Sequence, residues 1–209
     1  MVIDDMAMIA ADTSRTAVYL QALLSAGIIP HHFIVLCGDA AGRPLPGQVD
    51  DGSLSLRDLL ARIQERWAAS TDFLDTADIN SSLAIEAIKN RPEPVMVYSG
   101  FGGAILRKGV LATGKEFLHV HGGFLPTYRG STTNYYSLIA EDSCGASAIL
   151  LTREIDGGPL LHRKLFPPPE DRASIDHGYD AAIRAEVLVE TLRMRLRDGG
   201  WCEQSMDKE

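Results

Sequence analysis

Apolar residues along the chain form short continuous runs that alternate with segments of helical spacing. The runs lie at residues 6–11, 32–36 and 95–98, where buried strands are predicted. Between them, residues 15–25 and 54–67 carry apolar side chains every three or four positions, which is typical of amphipathic helices. Buried strands that alternate with helices predict a parallel sheet with right-handed crossover connections.

The second half of the chain continues this alternation. Further strands are predicted at residues 117–121, 146–151 and 160–166, and further helices at residues 82–89, 131–140 and 175–196. Residues 38–53 are rich in Gly, Pro and Asp and predict a loop, whereas the polar tail after Asp198 is expected to be loose. We expect residues 1–209 to form a single domain, with the C-terminal helix and tail at residues 171–209.

Composition limits the classes of partner and compartment. The net charge of −8 argues against non-specific binding to nucleic acids and to anionic membranes. The three cysteines are widely spaced and include no Cys-x-x-Cys pair, which indicates a reducing compartment without a disulfide framework. No segment resembles a signal peptide, and no apolar run is long enough to span a bilayer. These features predict a cytoplasmic protein that binds neither nucleic acid nor membrane.

Candidate catalytic groups lie at the carboxyl ends of two predicted strands. In the strand at residues 117–121, alternation places the side chains of His119 and His121 on the same face. Two glycines follow, and such a pair lets the backbone approach a ligand closely. Asp156 follows a later strand, and a carboxylate beside an imidazole fixes its tautomer and raises its pKa. In an open α/β sheet, this edge is the usual position of a ligand site.

These groups support more than one chemistry. An imidazole paired with a carboxylate suits acyl-type transfer, in which a nucleophile loses a proton while an oxyanion forms. The chain has no Gly-x-Ser-x-Gly elbow and no Cys-His signature, so direct attack by a bound substrate is favoured over a covalent intermediate. A divalent metal held by His119, His121 and Asp156 is an alternative, and so is a purely structural role. The glycines at residues 100–103 either wrap a flat ligand or form a tight turn.

Five short motifs occur together along the chain. In order, they are His119-Val120-His121, Leu125-Pro126, Arg129-Gly130, Gly145-Ala146-Ser147 and Asp156-Gly157-Gly158. Residues 97–161 thereby resemble the 10-formyltetrahydrofolate-dependent formyltransferases, whose pattern is an Asn-x-His strand, a Leu-Pro, a basic-Gly dipeptide, a Gly-x-Thr and an Asp-x-Gly loop. The resemblance implies an α/β, Rossmann-like three-layer formyltransferase fold with a mostly parallel sheet. It also implies 10-formyltetrahydrofolate as the cosubstrate and no metal.

The resemblance assigns roles to individual residues. His121 matches the catalytic histidine of the family, and Asp156 matches its catalytic aspartate. The implied mechanism is attack by a neutral primary amine on the formyl carbon, with His121 stabilising the oxyanion and Asp156 helping to remove the amine proton. The implied folate-binding residues lie in two loops and are Phe101, Gly103, Ile105, Thr152 and Glu154.

One departure from the family pattern concerns catalysis. His119 stands where the family has an asparagine, whose amide donates a hydrogen bond to the formyl oxygen. Because imidazole can also donate a hydrogen bond, His119 is counted as the third catalytic residue. A second departure is Ile149, which stands where many members have a further histidine behind the catalytic residues.

The expected formyl acceptor is the primary amine of a small molecule. Residues 11–15 contain no glycine, unlike the loop by which the glycinamide ribonucleotide enzyme grips phosphate, and few residues follow Asp156, unlike in the tRNA enzyme with its C-terminal β-barrel. An amino sugar nucleotide or an amino-acid-derived metabolite is therefore expected, and a homodimer is left open. The expected substrate contacts are Arg129, Tyr135 and Tyr136. The alternative functions are a formyltetrahydrofolate hydrolase, a His-x-His metal-dependent hydrolase and a binding module that has lost catalysis.

Overall fold

The computed structural model describes residues 1–38, 55–172 and 175–206. Apart from Gly38, the loop predicted at residues 38–53 lies outside the described residues. The chain divides into two compact units, Met1–Phe117 and Leu118–Glu209. Within the described part of the chain, no helix has both the length and the apolar character needed to cross a membrane.

Parallel strands form the centre of the first unit. The strand order is β3-β2-β1-β4, with β1 at Val2–Ala11, β2 at Ile29–Leu36, β3 at Ser70–Leu74 and β4 at Val95–Ser99. The helices of this unit are α1 (Ser14–Ala26), α2 (Leu56–Trp67), α3 (Ser82–Lys89) and α4 (Lys108–Leu111). Strand β1 pairs in parallel with both β2 and β4, so the predicted β-α-β opening is confirmed.

Local signals in the sequence set the helix boundaries. The hydroxyl of Thr13 accepts a hydrogen bond from the backbone N–H of Thr16 and caps α1. Gly27 ends the same helix in the left-handed conformation, with φ at 66°. At the start of α2, Ser55 and Asp58 form a reciprocal capping box.

Two elements of the first unit carry no clear signal in the sequence. Strand β3 has the sequence Ser-Thr-Asp-Phe-Leu, and its side chains are mostly exposed or half-buried. It lies at the end of the strand order, where backbone hydrogen bonds to β2 form the strand without a buried apolar face. Helix α4 is a single turn, too short for a periodic pattern to appear.

Antiparallel strands form the sheet of the second unit. Strand β5 (Glu116–His121) pairs with β6 (Cys144–Leu150), and β6 pairs with β7 (Leu160–Phe166). The helices are α5 (Thr133–Glu141) and α6 (Asp180–Asp198). The helix predicted at residues 175–196 begins at Ile175, as predicted, but its first segment, Ile175–Tyr179, is π-helical and the α-helix starts at Asp180. Helical periodicity alone does not distinguish the two windings.

The prediction of a loose tail after Asp198 is wrong for the described residues. The backbone N–H of Gln204 donates to the carbonyl of Leu160 at 2.7 Å, which ties the tail to β7. Met206 packs against an apolar cluster in the same unit, formed by Leu125, Ile149 and Leu160. Backbone pairing and one apolar contact therefore fix a segment whose composition is polar.

Candidate active site

Strand β5 ends at His121 and sets the direction of its side chain. In the antiparallel pairing with β6, His121 lies opposite Ser147, and His119 lies opposite Ile149. Alternation along β5 puts both imidazoles on one face of the strand, as predicted. His121 is only 5% exposed, whereas His119 is half-buried.

Neighbouring groups pack closely around both glycines of the turn after β5. A Cβ on Gly122 would lie 2.6 Å from Nε of Arg184 and 2.6 Å from Oδ1 of Asp180, which form an ion pair on α6. A Cβ on Gly123 would lie 2.6 Å from Nε2 of His121 and 2.7 Å from the carbonyl oxygen of Tyr128. Both separations are well inside van der Waals contact, so a side chain at either position forces the surroundings to move.

Ser147 on β6 holds the same turn from the other side. Its buried hydroxyl donates to the carbonyl of Gly123 at 2.7 Å and accepts from the backbone N–H of Leu125 at 3.0 Å. Arg163 on β7 donates to the carbonyl of Leu125 at 2.6 Å and stacks on the ring of Phe124, 4.7 Å from its centroid. The path of residues 122–125 is thus determined by two neighbouring strands.

Asp156 reaches His121 from the loop between β6 and β7. Its Oδ1 atom lies 3.6 Å from Nδ1 of His121, and its Oδ2 atom accepts from the backbone N–H of Gly130 at 2.8 Å. Asp156 is 8% exposed and has a positive φ of 52°, which is uncommon for a residue other than glycine. The structure therefore brings together the imidazole and the carboxylate that the sequence predicts to meet.

The His121 ring is held between Asp156 and a backbone carbonyl. Nε2 of His121 lies 2.8 Å from the carbonyl oxygen of Tyr128, within hydrogen-bond distance. Burial lowers the pKa of His121 below its ordinary value, although the charge of Asp156 and the Tyr128 contact act in the opposite direction. Arg184 adds to the lowering, and Asp180 opposes it. The neutral imidazole is accordingly the favoured form at neutral pH.

Three predicted substrate contacts lie in the second unit, and two of them already have partners. The guanidinium of Arg129 lies 3.4 Å from Oε1 of Glu154, in an exposed ion pair. The hydroxyl of Tyr135 donates to Oδ2 of Asp176 at 2.6 Å. Tyr136 is 61% exposed on α5. Exposed ion pairs contribute little to stability, so the guanidinium of Arg129 can leave Glu154 at low cost.

The folate-binding residues predicted in the first unit lie in the loop at residues 100–106, which is anchored at both ends. The guanidinium of Arg15 donates to the carbonyl of Gly100, and the side-chain amide of Asn80 donates to the carbonyl of Ile105 at 3.0 Å. Between these anchors, no described atom other than those of Gly103 itself and its two chain neighbours lies within 4 Å of a Cβ placed on Gly103, whose φ is 77°.

Apolar side chains of this loop are open to solvent. Ile105 is 59% exposed, and Phe101 is half-buried. In the second unit, the other predicted folate-binding residues form a local turn, in which the hydroxyl of Thr152 accepts from the backbone N–H of Glu154 at 3.3 Å. Each loop by itself offers backbone polar groups next to exposed apolar surface, which suits a flat heterocycle.

Several groups that position the site have no signature of their own in the sequence. The carbonyl of Tyr128 and the backbone N–H of Gly130 belong to the main chain, so side-chain identity does not indicate them. Asn134 links α5 to both neighbours, because its amide donates to Asp180 at 3.0 Å and accepts from the backbone N–H of Gly145 at 2.8 Å. Ser147 is different, because the Gly145-Ala146-Ser147 motif marks it in the sequence before its contact with the glycine turn is seen.

The metal alternative lacks a suitable ligand set in the described part of the chain. A hydrolytic zinc site needs three side chains that converge on one point. Among residues 1–38, 55–172 and 175–206, no group of three or more His, Cys, Asp or Glu side chains has an arrangement that holds a metal ion. His119, His121 and Asp156 therefore do not form the cluster that this alternative requires.

Comparison with known proteins places this chain in a family. The family model described as formyl transferase matches residues 57–175, which are more than half of the chain and include His119, His121 and Asp156. The chain belongs to the formyl transferase family. Over 127 residues it is 32% identical to the methionyl-tRNA formyltransferase of Caldanaerobacter subterraneus subsp. tengcongensis, a match that covers 54% of this chain and 40% of that protein. The chain spans about two fifths of the length of the curated relatives that it matches.

Solved structures show the same fold at low sequence identity. Glycinamide ribonucleotide transformylase 1 from Symbiobacterium toebii is similar with a TM-score of 0.65 and 17% identity, over 97% of this chain and 93% of that chain. The N-formyltransferase from Helicobacter canadensis, in complex with folinic acid and dTDP-3-aminofucose, is similar with a TM-score of 0.61 and 12% identity, over 99% and 68% of the two chains. The predicted α/β, Rossmann-like formyltransferase fold is therefore confirmed.

Proposed function

We propose that this formyl transferase moves the formyl group of 10-formyltetrahydrofolate to the primary amine of a small molecule. The observation that supports it most directly is the 3.6 Å approach of His121 to Asp156, inside the segment that matches the family. An amine that attacks a formyl carbon must lose a proton, and a buried imidazole beside a carboxylate provides an acceptor for it. His119, at the end of the same strand, is the third proposed catalytic residue.

The proposed formyl donor suits the loops that the sequence assigns to folate. When bound, 10-formyltetrahydrofolate supplies a formyl group that is activated toward amines. Phe101, Gly103 and Ile105 are the proposed contacts in the first unit, where the loop has an open glycine and exposed apolar surface. Thr152 and Glu154 are the proposed contacts in the second unit. Substitutions in one loop at a time measure how much that loop contributes to the affinity for 10-formyltetrahydrofolate.

An amino sugar nucleotide is the proposed class of acceptor. The structural relative from Helicobacter canadensis is complexed with an amino sugar nucleotide, which shows that this fold accommodates one. In this chain, the exposed guanidinium of Arg129 offers a cation to an anionic group of the acceptor. Tyr135 and Tyr136 are the other proposed contacts, since exposed aromatic side chains suit a sugar or a base.

A formyl-transfer assay with a panel of amines tests the function. The panel contains amino sugar nucleotides, amino acids, methionyl-tRNA and a reaction without amine, each with 10-formyltetrahydrofolate. We expect N-formylation of an amino sugar nucleotide and loss of turnover in His121→Ala. The matched control is His162→Ala, which removes a half-buried histidine that pairs with Glu190 on the same unit at 2.8 Å and leaves turnover intact.

Three other results of this assay would each contradict one part of the proposal. Formate release at an equal rate without any amine contradicts transfer and favours the hydrolase. Formylation of methionyl-tRNA alone contradicts the small-molecule acceptor. Full activity in His121→Ala contradicts a catalytic role for the His121 imidazole.

A further inference from the structure

The loop at residues 100–106 carries proposed contacts with the formyl donor, and we call it the donor loop. A turn forms its tip, in which the backbone N–H of Ala104 donates to the carbonyl of Phe101 at 3.2 Å. Gly103 has a φ of 77°, whereas the φ of Gly102 is not positive, which is the combination of a type II turn. Because glycine takes this third position without strain, the tip has a defined shape.

Tyr98 lies at the base of the donor loop and crosses it with its side chain. Its ring fills the space beside Gly100, since a Cβ on that glycine would lie 2.7 Å from Cε2 of Tyr98 and closer still to the hydroxyl. The hydroxyl makes a long hydrogen bond of 3.3 Å to the carbonyl of Ala104, at the end of the turn. Burial raises the pKa of Tyr98 to about 12, so the phenol keeps the proton that it donates.

Asn80 binds the end of the donor loop as a neighbouring strand would. Its side-chain amide donates to the carbonyl of Ile105 at 3.0 Å, and its side-chain oxygen accepts from the backbone N–H of Arg107 at 2.7 Å. One planar amide thus pairs with the peptide groups on both sides of Leu106. The backbone N–H of Asn80 donates to Oδ1 of Asp78 at 2.9 Å, which fixes the segment before α3.

These restraints leave the tip of the donor loop to a ligand. Three loop carbonyls accept hydrogen bonds from side chains outside the loop. Within the described residues of the first unit, by contrast, no protein group forms a hydrogen bond with the N–H or the carbonyl of Gly102 or Gly103. A ligand can therefore use these polar groups without displacing the side chains that hold the loop.

In an extension that rests on the proposed function, we infer that Asn80 and Tyr98 are positioning residues, which hold the donor loop in the shape that binds 10-formyltetrahydrofolate. A loop that is ordered before binding loses less conformational entropy when its ligand arrives, and this strengthens binding. Both residues act through the loop, so their substitution should change the affinity for the donor and not the rate of the transfer step.

Titration calorimetry with folinic acid, a stable formylated folate, measures this role without turnover. We expect Asn80→Asp to weaken binding about tenfold or more, because a carboxylate oxygen then faces the carbonyl of Ile105 while the contact with the N–H of Arg107 is kept. Tyr98→Phe keeps the ring and loses one long hydrogen bond, so we expect binding to weaken about threefold. In both variants, kcat at saturating 10-formyltetrahydrofolate should stay within about twofold of the wild-type value.

Two matched variants separate positioning from a general loss of stability. Asn90→Asp introduces the same charge at the other end of α3, where it opposes the helix dipole. Tyr19→Phe removes the hydroxyl of another buried tyrosine of the first unit, on α1. Both controls should bind folinic acid as wild type does, whatever they cost in stability.

Amide hydrogen exchange in the ligand-free protein, followed by NMR, reports on the donor loop itself. The N–H of Ala104 closes the turn, so its exchange should be faster in Asn80→Asp and Tyr98→Phe than in wild type and in the two controls. An unchanged exchange rate in a variant shows that the substituted residue does not hold the loop and overturns its role.

The binding results distinguish a failure of this inference from a failure of the proposed function. If wild type binds folinic acid and a variant binds it equally well, the role of that residue is overturned and the proposed function stands. An equal loss of affinity in the matched control, or a fall in kcat of more than about tenfold at saturating donor, also overturns the positioning role. If wild type binds no folinic acid, the proposed donor is contradicted, and this inference with it.

Discussion

The Nδ1 atom of His121 lies 3.6 Å from Oδ1 of Asp156, and a main-chain group holds each side chain independently of the other. The carbonyl of Tyr128 contacts the imidazole at 2.8 Å, and the N–H of Gly130 donates to the carboxylate at 2.8 Å. Both side chains are nearly buried, so solvent competes little for these contacts. A substitution at one of the two residues should therefore leave the other in position, which permits clean single-site tests.

Asp156→Asn should abolish most of the activity without unfolding the protein. The amide oxygen can still accept from Gly130, but the neutral amide no longer provides the negative charge that favours a proton on His121. Loss of this charge should lower kcat by about 10²–10⁴-fold. The measurement is steady-state kinetics together with the melting temperature. The control is Asp198→Asn at the end of α6, which should retain wild-type kcat.

Two results contradict this prediction. A kcat for Asp156→Asn within about tenfold of the wild-type value means that the carboxylate does not assist proton transfer. A collapse of the melting temperature means that Asp156 acts mainly on folding, through its contact with Gly130.

Acid should destabilise the first unit through His32. This histidine is buried on β2, its Nδ1 shares a 2.6 Å hydrogen bond with Ser70, and its Nε2 lies 3.2 Å from Asp72. Burial lowers the pKa of His32, and Arg91 adds to this, although Asp72 and Glu93 oppose it. Because the folded state holds the proton more weakly than the unfolded state, stability is complete above the unfolded pKa of about 6.5 and is lost as pH falls below it.

Urea unfolding between about pH 7 and pH 5 measures this effect. His32→Gln should cost about 1–3 kcal/mol at neutral pH, because its buried hydrogen bonds change, but should show a shallower loss of stability toward pH 5. Ser70→Ala is the matched control, since it removes the hydrogen bond but keeps the titrating ring and hence the acid sensitivity. An equally steep loss in His32→Gln assigns the acid sensitivity to other groups.

Much of the sheet could be predicted from the sequence because its strands are apolar. Residues 6–11 of β1 and all of β4 are buried, and a continuous apolar run marks each of them. β3 could not be predicted in this way, because an exposed edge strand needs only backbone pairing with its neighbour. The polar tail gave the wrong prediction for the same reason, since Gln204 is held by a main-chain hydrogen bond to Leu160.

In the candidate site, too, the sequence indicates the side chains that take part but not the main-chain contacts that hold them. Strand alternation placed His121 at the carboxyl end of its strand, and the resemblance to the formyltransferases predicted that Asp156 meets it there. The contact that orients the His121 ring could not be predicted, because it is made with the carbonyl of Tyr128, and any residue at that position has a carbonyl. The roles of His119 and of the predicted substrate and folate contacts stay predictions.

Gly158→Ala should disrupt the loop that carries Asp156. A Cβ on Gly158 would clash with the carbonyl oxygen of Leu150 and would lie 3.0 Å from Cγ2 of Thr152. The carbonyl belongs to the end of β6, where the backbone cannot move without breaking strand pairing. We expect a loss of about 1–3 kcal/mol or more in the free energy of unfolding, measured with urea. Gly200→Ala, with open space around its Cβ, should be close to wild type, and equal stability of the two variants contradicts the clash.

Ser147→Ala should reduce both stability and kcat, because this hydroxyl holds the turn that packs against His121. Its Oγ donates to the carbonyl of Gly123 at 2.7 Å and accepts from the N–H of Leu125 at 3.0 Å, with no exposure to solvent. Leaving these two buried groups unpaired should cost about 1–3 kcal/mol. The displaced Gly123 should shift the imidazole, which lowers kcat while the KM values for donor and amine change little.

Two further variants separate positioning from stability in the same experiment. Ser147→Thr keeps the hydroxyl and should restore most of kcat. Ser137→Ala removes another buried hydroxyl of the second unit, which donates to the carbonyl of Ser143 at 2.8 Å, and should lower stability without changing kcat. If Ser147→Ala and Ser137→Ala lower kcat equally, or if Ser147→Ala keeps the wild-type kcat despite its lost stability, Ser147 does not position His121. A lower kcat in Ser147→Ala alone, restored by threonine, assigns the effect to the hydrogen bonds that this hydroxyl makes to the glycine turn.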